Sequence, residues 1–296
     1  MYEQAGERSS DGWSHWPAPA KLNLFLRILG RRPDGYHDLQ TVFQLLDWGD
    51  WVHLRIREDG AIVRQRGAVG VSEDADLGVR AAQALRVASG CRRGAEIGID
   101  KRIPQGGGFG GGSSNAATVL VGLNHLWGLD LDEDALADIG RGLGADVPVF
   151  VRGRSAFAEG VGERLTPLNL PPRWFVLVNP GFGVPTAELF AAQDLTRDAS
   201  PTTIADFISG FAIGNAFEPV LRARRPEIRS AMEWMAGFGL PQITGTGSGV
   251  FLAFDTQADA NVVLDVLPKP WRGWVAQGVD ESALHRALRS RCTAGS

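Results

Sequence analysis

From Ala20 the chain alternates. Leu22, Leu24, Leu26 and Ile28 point one way and Lys21, Asn23, Phe25 and Arg27 the other. That period predicts a half-buried strand with Lys21 and Asn23 on one face. Gly30-Arg31-Arg32-Pro33-Asp34-Gly35 is a turn, because Pro33 fixes φ and Asp34-Gly35 tolerates positive φ. Alternation returns at Trp51–Arg57 through Val52, Leu54 and Ile56, predicting a second strand. A helical segment follows over Asp76–Ala88, then a short strand over Ala95–Asp100. Beyond a glycine run, Ala116, Val119, Leu120, Leu123 and Trp127 recur at helical spacing. The spacing predicts a helix that starts near Ser113 or Ser114, both good N-cap residues. A further helix from Asp132 turns Leu136, Ile139 and Leu143 inward, with Gly144 suited to its C′ position. Phe175–Val178 reads as a strand ending in the loop Asn179–Pro185. The last third mixes helices (Ile204–Ile213, Pro219–Phe238) with strands (Val250–Phe254, Gly273–Val275). Residues 1–16 keep neither period and read as a loose arm, with Trp13 and Trp16 docking on the body. Prolines clustered near Thr166–Pro172 mark an expected boundary between two domains, 17–166 and 167–290.

Composition narrows the classes. The 296 residues, 44% hydrophobic and 22% charged, suit a globular protein of about two domains. A net charge of −4 argues against a nucleic-acid binder. No apolar run approaches the ~20 residues that cross a bilayer. Met1–Asp11 holds no apolar core of a secretory signal, so a cytoplasmic protein is expected. Cys91 and Cys292 lack metal or redox spacing and read as free thiols. The histidines His15, His53, His125 and His285 show no ligand spacing, so no structural metal is expected. Of 30 basic residues only Lys21, Lys101 and Lys269 are lysine. A lysine kept in an arginine-rich background suits a compact point charge on a single phosphate oxygen. Lys21 and Lys101 both fall within motifs; Lys269, between two prolines, does not.

The strongest signal is Gly106-Gly107-Gly108-Phe109-Gly110-Gly111-Gly112-Ser113-Ser114. Six glycines in seven positions lose much conformational entropy on ordering. Close approach of the backbone to an anion at a helix N-terminus offsets that loss. A flexible linker does not run from a strand into a capped amphipathic helix. The run holds a formal G-x-G-x-x-G, but Pro104 and its neighbours separate it from the strand, unlike a dinucleotide loop. No Lys-Ser/Thr follows the glycines, so it is not a Walker loop either.

The segment Pro104-Gln105-Gly106 through Asn115-Ala116-Ala117 resembles the second motif of the GHMP kinases, which include galactokinase, homoserine kinase and mevalonate kinase. Pro19-Ala20-Lys21-Leu22-Asn23-Leu24 resembles the first motif and Gly245-Thr246-Gly247-Ser248-Gly249-Val250-Phe251 the third. The paired glycine triplets, Gly30 to His37, and Gly144-Ala145-Asp146-Val147-Pro148 resemble one branch of the family. That branch phosphorylates the 2-hydroxyl of a cytidine diphosphate-linked polyol in the non-mevalonate isoprenoid pathway. The likeness runs from Pro19 to the Ala283 region, with Gln105 and Phe109 where Met and Leu are usual.

The resemblance implies an α+β fold of two domains, an N-terminal one similar to the second domain of ribosomal protein S5 and a ferredoxin-like C-terminal one. It implies Lys21 and Asp146 as the catalytic pair. ATP would lie on Lys101, Pro104, Gln105, Gly106, Gly107, Gly108, Phe109, Gly110, Gly111, Gly112, Ser113 and Ser114, with Mg²⁺ arriving on the nucleotide. Tyr36 would stack on the cytosine, His37 read its edge, Phe190 form a second wall and Asn23 hold the acceptor. Bare residues leave alternatives. Asp146 before Val147-Pro148 is ordinarily a helix cap, Tyr36 a half-buried loop aromatic, Phe190 a packing residue and Lys101 a solvated cation. Other readings are a homoserine- or mevalonate-type kinase, or a nucleotide-binding regulator without turnover, against which the intact Lys21 and Asp146 argue.

Overall fold

Two long strands organise the molecule, for which the computed structural model describes residues 11–183 and 185–294. Strands β1 (Ser14–Arg31) and β2 (His37–Arg57) pair antiparallel across the expected Pro33-Asp34-Gly35 turn. Gly35 sits at φ +90° there, and the Tyr36 N–H donates to Asp34 Oδ1 at 3.0 Å. Both strands exceed the stretches predicted from alternation. β1 begins at Ser14, so the end of the expected arm is strand and Trp16 is fully buried. In β1, Pro17 and Pro19 face Trp51 and Gly49 of β2, the strand that β1 pairs with among the described residues. A strand paired along one side tolerates missing N–H donors. Residues 1–10 of the expected arm lie outside the described residues. Register shifts between Asn23 and Leu26 bring both Phe25 and Leu26 into cores, so β1 is buried on both faces instead of one.

The chain continues through β3 (Ile62–Arg66), α1 (Leu77–Ser89) and β4 (Gly94–Asp100), with β3 parallel to β4. Helices α2 (Gly111–Trp127), α3 (Glu133–Arg141) and α4 (Val147–Arg152) lead to the hairpin β5 (Ala156–Glu159) and β6 (Arg164–Pro167). Then come β7 (Trp174–Asn179), α5 (Thr186–Phe190), α6 (Ile204–Ile208), α7 (Glu218–Arg224) and α8 (Pro226–Met235). β8 (Gln242–Ile243), β9 (Val250–Phe254), α9 (Gln257–Asp265), β10 (Arg272–Val279) and α10 (Ala283–Ala294) complete it. The sheet order is β3-β4-β2-β10-β7-β9-β8, with β1 and β5 also on β2. Pro226 splits the helix expected over Pro219–Phe238, since its ring and missing N–H end the preceding turn. The helix after the glycines starts at Gly111, not at a serine. Its N-cap, Gly110, is left-handed at φ +77°, and a Cβ there would meet the Phe150 ring at 2.7 Å.

Burial divides the interior. One core packs α1, α2 and α4 on the β1–β2–β4 face, through residues such as Leu54, Ile97, Val119 and Phe150. A second gathers Val176, Val178, Phe217, Met232 and Val250 from the last third. A smaller one joins Leu22, Trp48, Phe109, Phe175 and Phe251 where β10 links β2 to β7. The expected domain boundary falls on β6 and the 168–173 connection, but two segments cross it. Leu26 and Ile28 of β1 belong to the second core, and Leu284 of α10 returns to the first.

Candidate active site

The glycine loop between β4 and α2 is gripped from two sides. The N–H groups of Ser248 and Gly249 donate to the Gly106 and Gly107 carbonyls at 3.1 and 3.0 Å. Thr244 Oγ1 donates to the Gly108 carbonyl at 3.3 Å, and the Lys21 N–H to that of Phe109 at 3.1 Å. The second motif is therefore held by the first and the third. Gly108 has φ +75°, and a Cβ on it would lie 2.2 Å from the Thr244 carbonyl oxygen. No side chain fits that approach.

Beside the loop stands the expected charge pair. Lys21 Nζ lies 3.3 Å from Asp146 Oδ2, the lysine 3% and the aspartate 33% exposed. Asp146 occupies the N-cap position of α4, as its sequence context suggests, yet makes no side-chain cap hydrogen bond. Its carboxylate is turned to the lysine instead. Lys21 also donates to Asn23 Oδ1, as the shared strand face requires. Asn23 is fixed in turn: Nδ2 donates to Thr41 Oγ1 at 2.9 Å, and its N–H to Thr244 Oγ1 at 3.0 Å. A carboxylate and an amide oxygen together fix the place of the buried ammonium.

Two cavities meet at the loop. One of about 430 Å³ contains Lys21, Asn23, Asp146, Ser113, Thr246 and Phe190. The other, about 280 Å³, is walled by apolar Ala68, Val71, Leu77 and Ile99 with Pro104 and Gln105. Gly106, Gly108, Gly110, Gly111 and Gly112 line both, so the loop is a shared wall. An apolar chamber, a backbone N–H cradle and a carboxylate–lysine pair in sequence can hold a planar base, its phosphates and an acceptor.

Similarity decides the family. A model of the GHMP kinases N terminal domain matches residues 76–154. The 4-diphosphocytidyl-2-C-methyl-D-erythritol kinase of Xanthomonas campestris pv. campestris (strain B100) is 59% identical over 281 residues, 95% of each chain. That of Halorhodospira halophila (strain DSM 244 / SL1) is 54% identical over 286 residues, 96% of this chain and 99% of the other. A crystal structure of 4-(cytidine 5'-diphospho)-2C-methyl-D-erythritol kinase, 34% identical, superposes with a TM-score of 0.78 over 90% of this chain and 99% of that one. The chain belongs to the GHMP kinase family. It is a small-molecule phosphotransferase with ATP as donor. A mevalonate kinase crystal structure, 14% identical with a TM-score of 0.66 over 91% of this chain and 99% of the other, shares the fold.

Other expected residues of this GHMP kinase are placed differently. The Phe109 ring is buried edge-on to Trp48 at 6.4 Å, in the core, and the residue also lines the apolar chamber. Gln105 Nε2 donates to the Val69 carbonyl at 3.2 Å, closing the apolar chamber. Lys101 lines that chamber, but its ammonium donates to Asp50 and to Asn115 Oδ1 at 3.0 Å. Ser113 lines the larger cavity, whereas Ser114 Oγ is buried with no hydrogen-bond partner among the described residues.

On the acceptor side, His37 and Phe190 stack at 5.0 Å, and Phe190 meets Phe217 edge-on at 4.9 Å. Phe190 thus serves packing and still faces the cavity. Tyr36 is 65% exposed and lines a neighbouring cleft with Arg141 and Gly144. Arg197 Nε donates to His37 Nε2 at 3.2 Å. Since Arg can only donate, Nε2 is the acceptor and the neutral ring carries its proton on Nδ1. Burial, then the charges of Arg197 and Arg31, push the His37 pKa below its usual 6.5. Sequence reading missed Arg197, Asp50, Thr41 and Thr244, which lie outside contiguous glycine or charge motifs, and gave no role to Asn115 at the end of the glycine motif.

Among the described residues, no three His, Cys, Asp or Glu side chains cluster to hold a metal ion. The unpartnered Ser114 hydroxyl at the start of α2 fits one oxygen ligand of a hard cation.

Proposed function

We propose that this kinase transfers the γ-phosphate of ATP to the 2-hydroxyl of 4-diphosphocytidyl-2-C-methyl-D-erythritol. The observation that carries the proposal is the Lys21–Asp146 pair beside the glycine loop, in a chain 59% identical to a kinase of that name. Adenine would occupy the apolar chamber, and the phosphates would cross the loop on its N–H groups toward Lys21. Phosphoryl transfer needs positioning and charge neutralisation more than covalent help. Asp146 takes the acceptor's proton, and Lys21 offsets the charge developing between donor and acceptor oxygens. Asn23 holds Lys21 and the acceptor's polar groups. Mg²⁺, carried on ATP with Ser114 as a protein ligand, would screen the phosphate charge.

The cytosine would meet the exposed Tyr36 ring and Phe190, with His37 Nδ1–H donating to its edge. A stacked base contributes about 1–3 kcal/mol, and an unpaired buried partner costs a similar amount. Initial rates with a panel of acceptors test this. The cytidine compound should be phosphorylated, while homoserine, mevalonate and galactose should be poor. Tyr36→Ala should raise KM for the cytidine acceptor and leave KM for ATP nearly unchanged. Turnover of a base-free alcohol, with none of the cytidine compound, would overturn the substrate.

A further inference from the structure

One carboxylate reaches both ends of the glycine loop. Asp50, at the inner part of β2, is fully buried. Its Oδ1 accepts the backbone N–H groups of Arg102 at 2.6 Å and Ile103 at 2.8 Å, where the chain leaves β4 for the loop. Its Oδ2 accepts Asn115 Nδ2 at 3.0 Å, in the first turns of α2 where the loop has ended. Lys101 joins the same oxygen and also donates to Asn115 Oδ1. A Cβ on Gly111 would lie 3.1 Å from Lys101 Nζ, so the ammonium stands close beside the first residue of α2.

We propose that Asp50 is a positioning residue for nucleotide binding, fixing the entry and the exit of the phosphate loop relative to each other. This rests on the reading that the loop binds ATP. Burying a charge is unfavourable, and an apolar residue would fill the same space with less desolvation. The carboxylate instead accepts four directed contacts, from Lys101, Arg102 and Ile103 before the glycines and from Asn115 after them. A loop so rich in glycine has little rigidity of its own. N–H groups bind phosphate oxygens only where their directions converge, and small misplacements are expensive. Lys101 then acts through Asp50 and Asn115: its charge belongs to this clamp, and Lys21 is left to the reacting phosphate.

The test exchanges the two polar partners. In Asp50→Asn the amide oxygen can still accept from Arg102 and Ile103, but its NH₂ faces two donors, Asn115 Nδ2 and Lys101 Nζ. In the double variant D50N/N115D, the carboxylate moved to position 115 accepts from both Lys101 and the amide at position 50, so every donor again has an acceptor. Calorimetry with a non-hydrolysable ATP analogue and steady-state kinetics are run on the full chain, well below each variant's Tm. Asp50→Asn should raise the analogue's Kd and the ATP KM about tenfold or more, the scale of a lost charged hydrogen bond. At saturating ATP its kcat, and its KM for the acceptor, should be little changed, and the double variant should recover most ATP affinity. A general structural defect would instead lower kcat and weaken both substrates together, which overturns the proposal, as does unchanged analogue affinity. If Asp50→Asn does not fold, Asn115→Leu removes the exit contact together with the Lys101–Asn115 bond and keeps the contacts of Asp50 with Arg102 and Ile103; it must raise the analogue's Kd in the same direction, or the proposal fails. Wild-type protein that binds no analogue would defeat the ATP reading itself. Wild-type binding with an unaffected Asp50→Asn defeats only the clamp.

Discussion

Two lysines flank the same loop, each against an aspartate, and they differ in what surrounds the carboxylate. Asp50, opposite Lys101, is fully buried and accepts four hydrogen bonds from protein groups. Asp146, opposite Lys21, is 33% exposed and caps no helix although it stands at a cap position. A saturated carboxylate has no lone pair left for a substrate; an under-used one that faces a cavity does. The pair chemistry is the same, and coordination and exposure separate a framework pair from a reactive one.

The largest effect should come from removing the under-used carboxylate. Asp146→Asn keeps shape and removes the base, so kcat should fall about 10²–10⁴-fold with ATP binding retained. A folded variant with near-normal turnover in a coupled ADP assay would refute the role. The comparison then sharpens on the cations. Lys101→Met strands the Asp50 charge in the interior, and breaking one side of a buried pair costs about 3–5 kcal/mol of stability. Lys21→Met leaves Asp146 within reach of water, so its loss of stability should be smaller while turnover collapses. Denaturant unfolding and kcat should therefore rank the two variants in opposite orders. If Lys101→Met is the less destabilised of the two, the distinction drawn from exposure is wrong.

The reactive pair is legible in the sequence and the framework pair is not, for a physical reason. Lys21, Asp146 and the glycines sit in contiguous motifs whose backbone demands show locally: alternation places Lys21 with Asn23, and glycine marks positions such as Gly108 where a Cβ would strike Thr244. Asp50 finds its partners 51 to 65 residues away, across a strand end and a helix start. Nothing at Asp50 itself distinguishes it from a strand-end aspartate in solvent. The α2 boundary misleads for a related reason. Ser113 and Ser114 have the chemistry of a cap, but the turn needs a left-handed residue, and Gly110 supplies it. Strands β1 and β2 read short because alternation assumes one wet face, and here bulges and a second core bury both. The buried Trp16 likewise turns the end of an expected arm into strand.

The smallest effect concerns pH and carries the comparison to the acceptor side, where His37 is neither saturated nor open to bulk solvent. Its pKa is depressed below 6.5, first by burial and then by Arg197 and Arg31. A depressed histidine favours the folded, neutral state above its ordinary pKa. That contribution is therefore present above about pH 6.5 and is lost as pH falls through the lowered value. Protonation would also take from Nε2 the lone pair that accepts from Arg197, setting two cations side by side. Acceptor KM should accordingly be flat above pH 6.5 and rise only as pH falls through the lowered value, by no more than about tenfold per pH unit for a single proton. The KM for ATP should not follow, because His37 lines neither the apolar chamber nor the glycine loop. In His37→Gln, which cannot titrate, the acid limb of the acceptor profile should disappear. If wild type and His37→Gln share the same acid limb, the titrating group lies elsewhere and His37 does not read the acceptor.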